Sequence, residues 1–189
     1  MSQPYDKGRA DPLSLVRFDD SLLDQVTHAA RSGARKRSIV RFHEHDEYLQ
    51  RMVNAIEPES YTRPHRHAAP PKPEVFLALR GSVLVVRFDD EGAPLEGVVA
   101  SANGSVRGVE IPAGAWHCMV SLQRSTVLFE AIQGPYEAAT HKEFAPWAPP
   151  EEDAEAGAAY IAQLRSHFEA VIPDVSAIDQ IDEEEYDIC

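Results

Sequence analysis

The sequence predicts an all-β fold with flanking helices, and three observations carry that expectation. From Tyr61 the chain breaks into short, β-branched-rich runs: VFLAL, SVLVVRF, PLEGVVAS, VRGVEI, WHCMVSL and STVLFEAIQ. Turn chemistry separates them, with RG at 80–81, DDEG at 89–92, SANGS at 101–105, PAG at 112–114 and QR at 123–124. Segments of helical period occur only outside this block. Short strands with such punctuation close into a β-sandwich or barrel rather than a βαβ array.

The elements follow in order. In DDSLLDQVTHAARSG, Leu22, Leu23, Val26 and Ala30 recur at helical spacing, Ser21 with Asp24 resembles a capping box, and Gly33 is a stop. A basic cluster follows, Arg31, Arg35, Lys36 and Arg37, which reads as a solvated face or a surface for the acidic tail. Tyr48, Leu49, Met52, Val53 and Ile56 fit a helical face, although the second half of this segment reads equally well as a strand. After the strand block, residues 133–153 form an aromatic and proline-rich coil expected to wrap the surface, with Trp147 as its packing anchor. Tyr160, Ile161, Leu164, Phe168 and Val171 then mark an amphipathic helix. These features divide the chain into an N-terminal arm (1–57), a barrel (58–150), and a C-terminal helix with an acidic, mobile tail (151–189).

Composition narrows the function classes. The formal net charge is −13, but residues 150–189 hold twelve Asp/Glu against one Arg, so the preceding chain is nearly neutral. An acidic end repels phosphates and argues against nucleic acid as a partner. No apolar run approaches the ~20 residues of a membrane span, and MSQPYDKGRADPLS has no apolar signal core. Two cysteines, Cys118 and Cys189, do not make a disulfide framework. A cytoplasmic location, with no membrane partner, is the expectation.

The chemistry concentrates in SYTRPHRHAAPPKPEVFLAL. An extended segment through Pro64 puts alternate residues on one face, so Tyr61, Arg63, His65 and His67 are expected to point inward together. Neutral imidazoles ligate divalent first-row metals. His117, just after a Pro-x-Gly turn in IPAGAWH, supplies a third imidazole, and Glu74, opening EVFLAL, supplies a carboxylate. Such a set would leave coordination positions open for water or substrate.

The spacing His65-x-His67, Glu74-x6-Gly81 and Pro112-x-Gly114-x2-His117 resembles the two signature motifs of the cupin superfamily. The resemblance implies a double-stranded β-helix, or jelly-roll, barrel with His65, His67, Glu74 and His117 at the metal-ligand positions. The sequence departs from the pattern in three places. Six residues separate His67 from Glu74, more than is usual; Glu59 stands where a glycine is usual; and Ser121 stands where an asparagine is frequent. A longer loop costs little closure entropy, and the unchanged spacing from Glu74 to Gly81 keeps Glu74 among the expected ligands. Across residues 20–150, RMVNAIEPESYTRPHRH, FDDEG, VRGVEIPAGAWH and VLFEAIQGPYEAATHKEFAPWAP resemble the WbuC family of cupin-fold metalloproteins, associated with polysaccharide gene clusters.

Further candidates surround these ligands. Arg63 is read as a clamp for an anionic substrate group or a salt-bridge partner of a carboxylate such as Glu130. Glu130, in the apolar run VLFEAI, is a general base facing the cavity or a residue closing the strand at the rim. Tyr61 orients substrate or packs in the barrel. His43 and His45 form a second His-x-His without partners in a recognisable frame and are read as loop or helix-start residues, and Met52 and Met119 as core. The expectation is a metal-binding cupin with Fe, Mn, Ni or Zn. It would be a metalloenzyme (isomerase, epimerase or dioxygenase) acting on a small polar or sugar-derived substrate. The alternatives are a non-catalytic sugar- or metal-binding module and a metal-free isomerase with the histidines as acid/base groups. By analogy with jelly-roll cupins, a homodimer is expected.

Overall fold

A computed structural model describes residues 14–173 of the chain. Helix α1 (Asp20–Ser32) is followed by strands β1 (Arg37–Arg41), β2 (Leu49–Ile56), β3 (His65–Arg66), β4 (Glu74–Arg80) and β5 (Ser82–Phe88). Strands β6 (Pro94–Ser101), β7 (Gly108–Ile111), β8 (Trp116–Ser121), β9 (Thr126–Gln133) and β10 (Glu143–Phe144) lead to helix α2 (Ala154–His167). Two antiparallel five-stranded sheets form, in the orders β1-β2-β9-β4-β7 and β10-β3-β8-β5-β6. The non-sequential order within each sheet is that of a jelly roll.

Strand alternation explains why β5 and β8 are apolar throughout. Val83, Val85 and Met119 point between the sheets, where they meet Ile56, Phe76, Ala100, Ile111 and Leu128. Leu84, Val86, Phe88, Trp116, Cys118 and Val120 point outward and are covered by Ile161 and Leu164 of α2 with Ala145 and Ala148 of the preceding coil. The other sheet is treated likewise: Val53, Ala55 and Val127 face Leu22, Leu23, Val26 and Ala30 of α1. Both sheets are thus covered on both faces, and each fully buried Leu or Val contributes roughly 1.5–3 kcal/mol of transfer free energy.

The structure corrects several expectations. Residues 49–56 are strand β2, paired along its whole length with β9 from Leu49↔Gln133 to Ile56↔Thr126, so tertiary pairing decides a segment whose apolar spacing fits both periods. The sheet therefore begins at Arg37, ahead of a barrel boundary at residue 58. The N-cap of α1 is Asp19, whose side chain accepts from the Leu22 amide at 3.2 Å, not Ser21, which lies inside the first turn. Gly33 does stop the helix, its amide donating to the Ala29 and Ala30 carbonyls. Helix α2 ends at His167 with a 3-10 turn over Glu169–Val171, and Val171 stays exposed. The acidic stretch 174–189 and Cys189 lie outside the described residues, as do residues 1–13.

The coil after β9 holds the barrel in register. Glu143 and Phe144 pair with Arg66 and His65 as β10, and the Ala145 amide donates to Pro64. Trp147 is the expected anchor, packed against Phe88 and Trp116. The basic cluster meets the start of the acidic segment: Glu151 accepts from Arg35, and both of its carboxylate oxygens accept from Nη2 of Arg37.

One turn is conformationally demanding. Gly81, between β4 and β5, has φ +68, and a Cβ there would lie 2.6 Å from Thr126 Oγ1. Gly81→Ala is expected to cost about 1–3 kcal/mol, since the left-handed region penalises any side chain and Thr126 is fully buried. Urea unfolding checks this through a lowered midpoint at unchanged slope.

Candidate metal centre

Three strands converge on one point. His65 lies in β3 directly opposite His117 in β8, His67 follows two residues later on the same face, and Glu74 opens β4 opposite Ile132 of β9. All four side chains are buried, at 1–2 % exposure. One ligand atom from each lies within 4.8 Å of the others. An ion about 2.0–2.2 Å from each donor needs facing donors no more than about 4 Å apart, so a small contraction of this cluster suffices.

Hydrogen bonding fixes how the imidazoles present themselves. Nδ1 of His65 lies 3.0 Å from the Arg63 carbonyl, Nδ1 of His117 lies 2.9 Å from the Ala115 carbonyl, and Nδ1 of His67 bonds the His141 carbonyl. A carbonyl only accepts, so each Nδ1 carries the proton and each Nε2 is left with its lone pair turned inward. The three Nε2 atoms and Glu74 Oε2 are buried without hydrogen-bond partners. Oε2 lies 3.0 Å from His117 Nε2 and 3.4 Å from His67 Nε2. Lone pairs facing a carboxylate oxygen at these distances repel unless a cation or proton lies between them, so the donor set fits a divalent metal.

Electrostatics point the same way. Burial first, with the Lys142 charge and the neighbouring His117 imidazole adding to it, pushes His65 well below the ordinary imidazole range, which favours its neutral form. Burial alone would raise the Glu74 carboxyl, but the His117 and His67 side chains beside it outweigh that and hold the group well below the usual carboxylate range. Glu130 goes the other way: burial, reinforced by the Glu74 charge, pushes its carboxyl well above that range.

The loop between His67 and Glu74 does not displace the carboxylate. Ala68 bridges Pro71, the Lys72 amide returns to the His67 carbonyl at 3.3 Å, and Lys72 Nζ donates to the Pro135 carbonyl at 2.7 Å. The extra residues close on themselves, and the chain re-enters β4 in register.

A cavity of about 350 Å³ adjoins the cluster, with His65 and Glu74 on its wall. Glu130 lines it, pointing inward between Leu128 and Ile132 on β9; it accepts from Asn54 Nδ2 at 3.0 Å and shares a hydrogen bond with Glu74. Arg63 also lines it, but it makes no ion pair with Glu130: its Nη2 donates to the Ala145 carbonyl at 2.7 Å and its guanidinium sits 5.6 Å over Phe144. Tyr61 is not brought to the site. Its ring packs on Gly157 and Tyr160 of the C-terminal helix, and its hydroxyl donates to the Pro149 carbonyl. Thr62 lines the cavity as Arg63 and His65 do, so strict alternation does not extend back from Arg63 to Tyr61.

Met52 and Met119 are buried but face the cavity. His43 also lines it, in a loop rather than at a helix start, with Nδ1 2.7 Å from both the amide and the carbonyl of Arg51. His45 stacks on Tyr136. Three residues that sequence reasoning did not single out belong to this region: Asn54, Lys142 and His141. Asn54 was findable, with Gln50, as a polar residue among the inward positions of β2, once β2 is a strand. His141 and Lys142 sit in coil, where no periodicity marks them.

A family model described as a domain of unknown function, DUF6016, matches residues 18–100. No curated protein matches the chain. Among solved structures, the capsular polysaccharide assembling protein CapF from Staphylococcus aureus is similar with a TM-score of 0.49 and 20% identity, over 57% of this chain and 29% of that chain. CapF with the inhibitor 3-isopropenyl-tropolone gives 0.51 and 19%, over 60% and 32%. A cupin superfamily protein from Desulfitobacterium hafniense DCB-2 gives 0.40 and 9%, over 51% and 76%. The chain spans about a third of the length of the CapF chains it matches. At these identities the likeness concerns the fold alone, a cupin jelly roll with flanking helices.

Proposed function

We propose that the chain is a metallocupin enzyme. His65, His67, Glu74 and His117 hold one divalent transition-metal ion, and the adjoining cavity takes a small polar or sugar-derived substrate. The observation that carries this reading is the set of three inward Nε2 lone pairs and one carboxylate oxygen, all buried and unpartnered. Such an ion, when bound, supplies Lewis-acid or redox chemistry. The chain's own residues do the rest. The backbone carbonyls of Arg63, His141 and Ala115 orient the imidazoles. Glu130, its carboxyl biased toward the protonated form, is placed to hold or pass a proton inside the cavity. Apolar walls from Phe76, Met119 and Ile132 exclude water from that exchange.

The metal-free reading, with the histidines as acid/base groups, is disfavoured because burial pushes His65 well below the ordinary imidazole range, so its ring resists taking up a proton. The resemblance to the WbuC family supports a polysaccharide-related sugar as the source of the substrate.

Elemental analysis of protein purified without added metal tests the reading. The expected result is close to one Fe, Mn, Ni or Zn per chain, removable by chelation with a fall in the thermal midpoint. Binding at a thousandfold excess over the dissociation constant stabilises by about 4 kcal/mol. Protein that arrives without metal, and whose midpoint does not move when each of the four ions is added, would rule the reading out.

A further inference from the structure

The cavity lining combines two kinds of group. Phe76, Met119 and Ile132 are apolar. Among the polar ones, Asn54 and Thr62 are each only 8 % exposed, and Asn54 Oδ1 and Thr62 Oγ1 are buried without a hydrogen-bond partner. Arg63 has used Nη2 on the Ala145 carbonyl, while its buried Nε has no partner. Lys142 also lines the cavity.

The local acids do not neutralise these two cations. Glu74 sits against His67 and His117, Glu151 is taken by Arg35 and Arg37, and Glu130 is bonded by Asn54 and Glu74. Among the described residues, neither Arg63 nor Lys142 makes an ion pair with a carboxylate. Unpaired cations and unsatisfied polar atoms around a cavity are costly, and a ligand bearing an anionic group and hydroxyls satisfies both. The size restricts it further. At about 350 Å³ the cavity is at the small end of ligand sites, which run from about 300 to 1,000 Å³, suited to one sugar ring or its open-chain form.

From this we infer that the cavity's ligand is a small hydroxylated oxyanion, a sugar acid or sugar phosphate. Its charged group lies against Arg63 and Lys142, and its hydroxyls meet Asn54 and Thr62. The inference rests on the reading of this cavity as the substrate site and deepens it by naming the substrate class. Carboxylate and phosphoryl groups share the recognition chemistry, charge-assisted hydrogen bonds to a guanidinium and an ammonium.

Calorimetric titration with gluconate, glucose 6-phosphate and glucose tests it, on metal-loaded and on chelator-treated protein. At least one anion is expected to bind on the order of tenfold or more tighter than glucose, and whichever anion is tighter identifies the carboxylate or the phosphoryl source. A bound ion would itself attract anions, so the assignment depends on variants. Lys142→Met and Arg63→Gln are each expected to weaken the anion about tenfold or more, with glucose binding and metal content unchanged. Arg63 also ties down Ala145, so Lys142→Met is the variant free of a structural role. Equal affinity for anion and glucose, or an anion affinity unchanged in Lys142→Met, overturns the inference. Metal at full occupancy with either result leaves the metallocupin reading standing. Conversely, an anion site sensitive to Lys142→Met in protein that binds no metal sustains this inference while the metal reading fails.

Discussion

His117→Ala protein is expected to bind metal about a hundredfold or more weakly than the wild type. Loss of a residue that merely orients a ligand already costs about 10- to 100-fold, and His117 is itself one of the donors. Its Nδ1 is spent on the Ala115 carbonyl and its Nε2 faces Glu74 at 3.0 Å, so its ring is held in the orientation of a donor. Metal per chain, measured on parallel preparations, should fall to a minor fraction, and the thermal midpoint should match that of chelated wild-type protein. His65→Ala is expected to behave alike. His43→Ala is the control, because His43 is buried and lines the same cavity but does not belong to the donor cluster. It should keep its metal. Full occupancy in both His65→Ala and His117→Ala would remove the site from the account.

This cluster was legible in the sequence because a strand turns spacing into direction. Two histidines one residue apart must share a face when extended, and Pro112-x-Gly114 sets the turn from which His117 enters β8. Glu74 was readable through its fixed distance to Gly81, where a positive φ anchors the next turn. The strand block was equally legible, with each apolar run from VFLAL to STVLFEAIQ appearing as a strand. What escaped were features decided by long-range pairing. β2 carries apolar residues that fit a helical face, and only its ladder with β9 settles the period. Tyr61 shares the alternation of His65 and His67 on paper, but Gly157 opens a place for its ring against α2, and it turns outward. His141 reaches the centre through a backbone carbonyl, which no residue type announces.

Glu130→Gln is expected to lower turnover by about 10²- to 10⁴-fold while leaving metal content and fold intact, the range a single positioned proton carrier contributes. The substitution is chosen for what it preserves. Asn54 Nδ2 donates to Glu130 Oε2 at 3.0 Å, and a glutamine oxygen still accepts that bond. The glutamine amide nitrogen can donate to Glu74, replacing the hydrogen bond those two carboxyls share. Alanine would instead strand Asn54 in a buried wall at a cost of about 1–3 kcal/mol and confuse stability with chemistry. What the amide cannot do is exchange a proton. The measurement is kcat on whichever sugar acid or sugar phosphate the wild type converts, with metal occupancy and thermal midpoint taken on the same samples. Unchanged kcat would make Glu130 a structural partner of Asn54 and Glu74 and move the proton-handling role elsewhere in the cavity. A wild type that binds such an anion tightly and converts none would identify the chain as a binding module, in which Glu130 serves only to shape the wall beside Glu74.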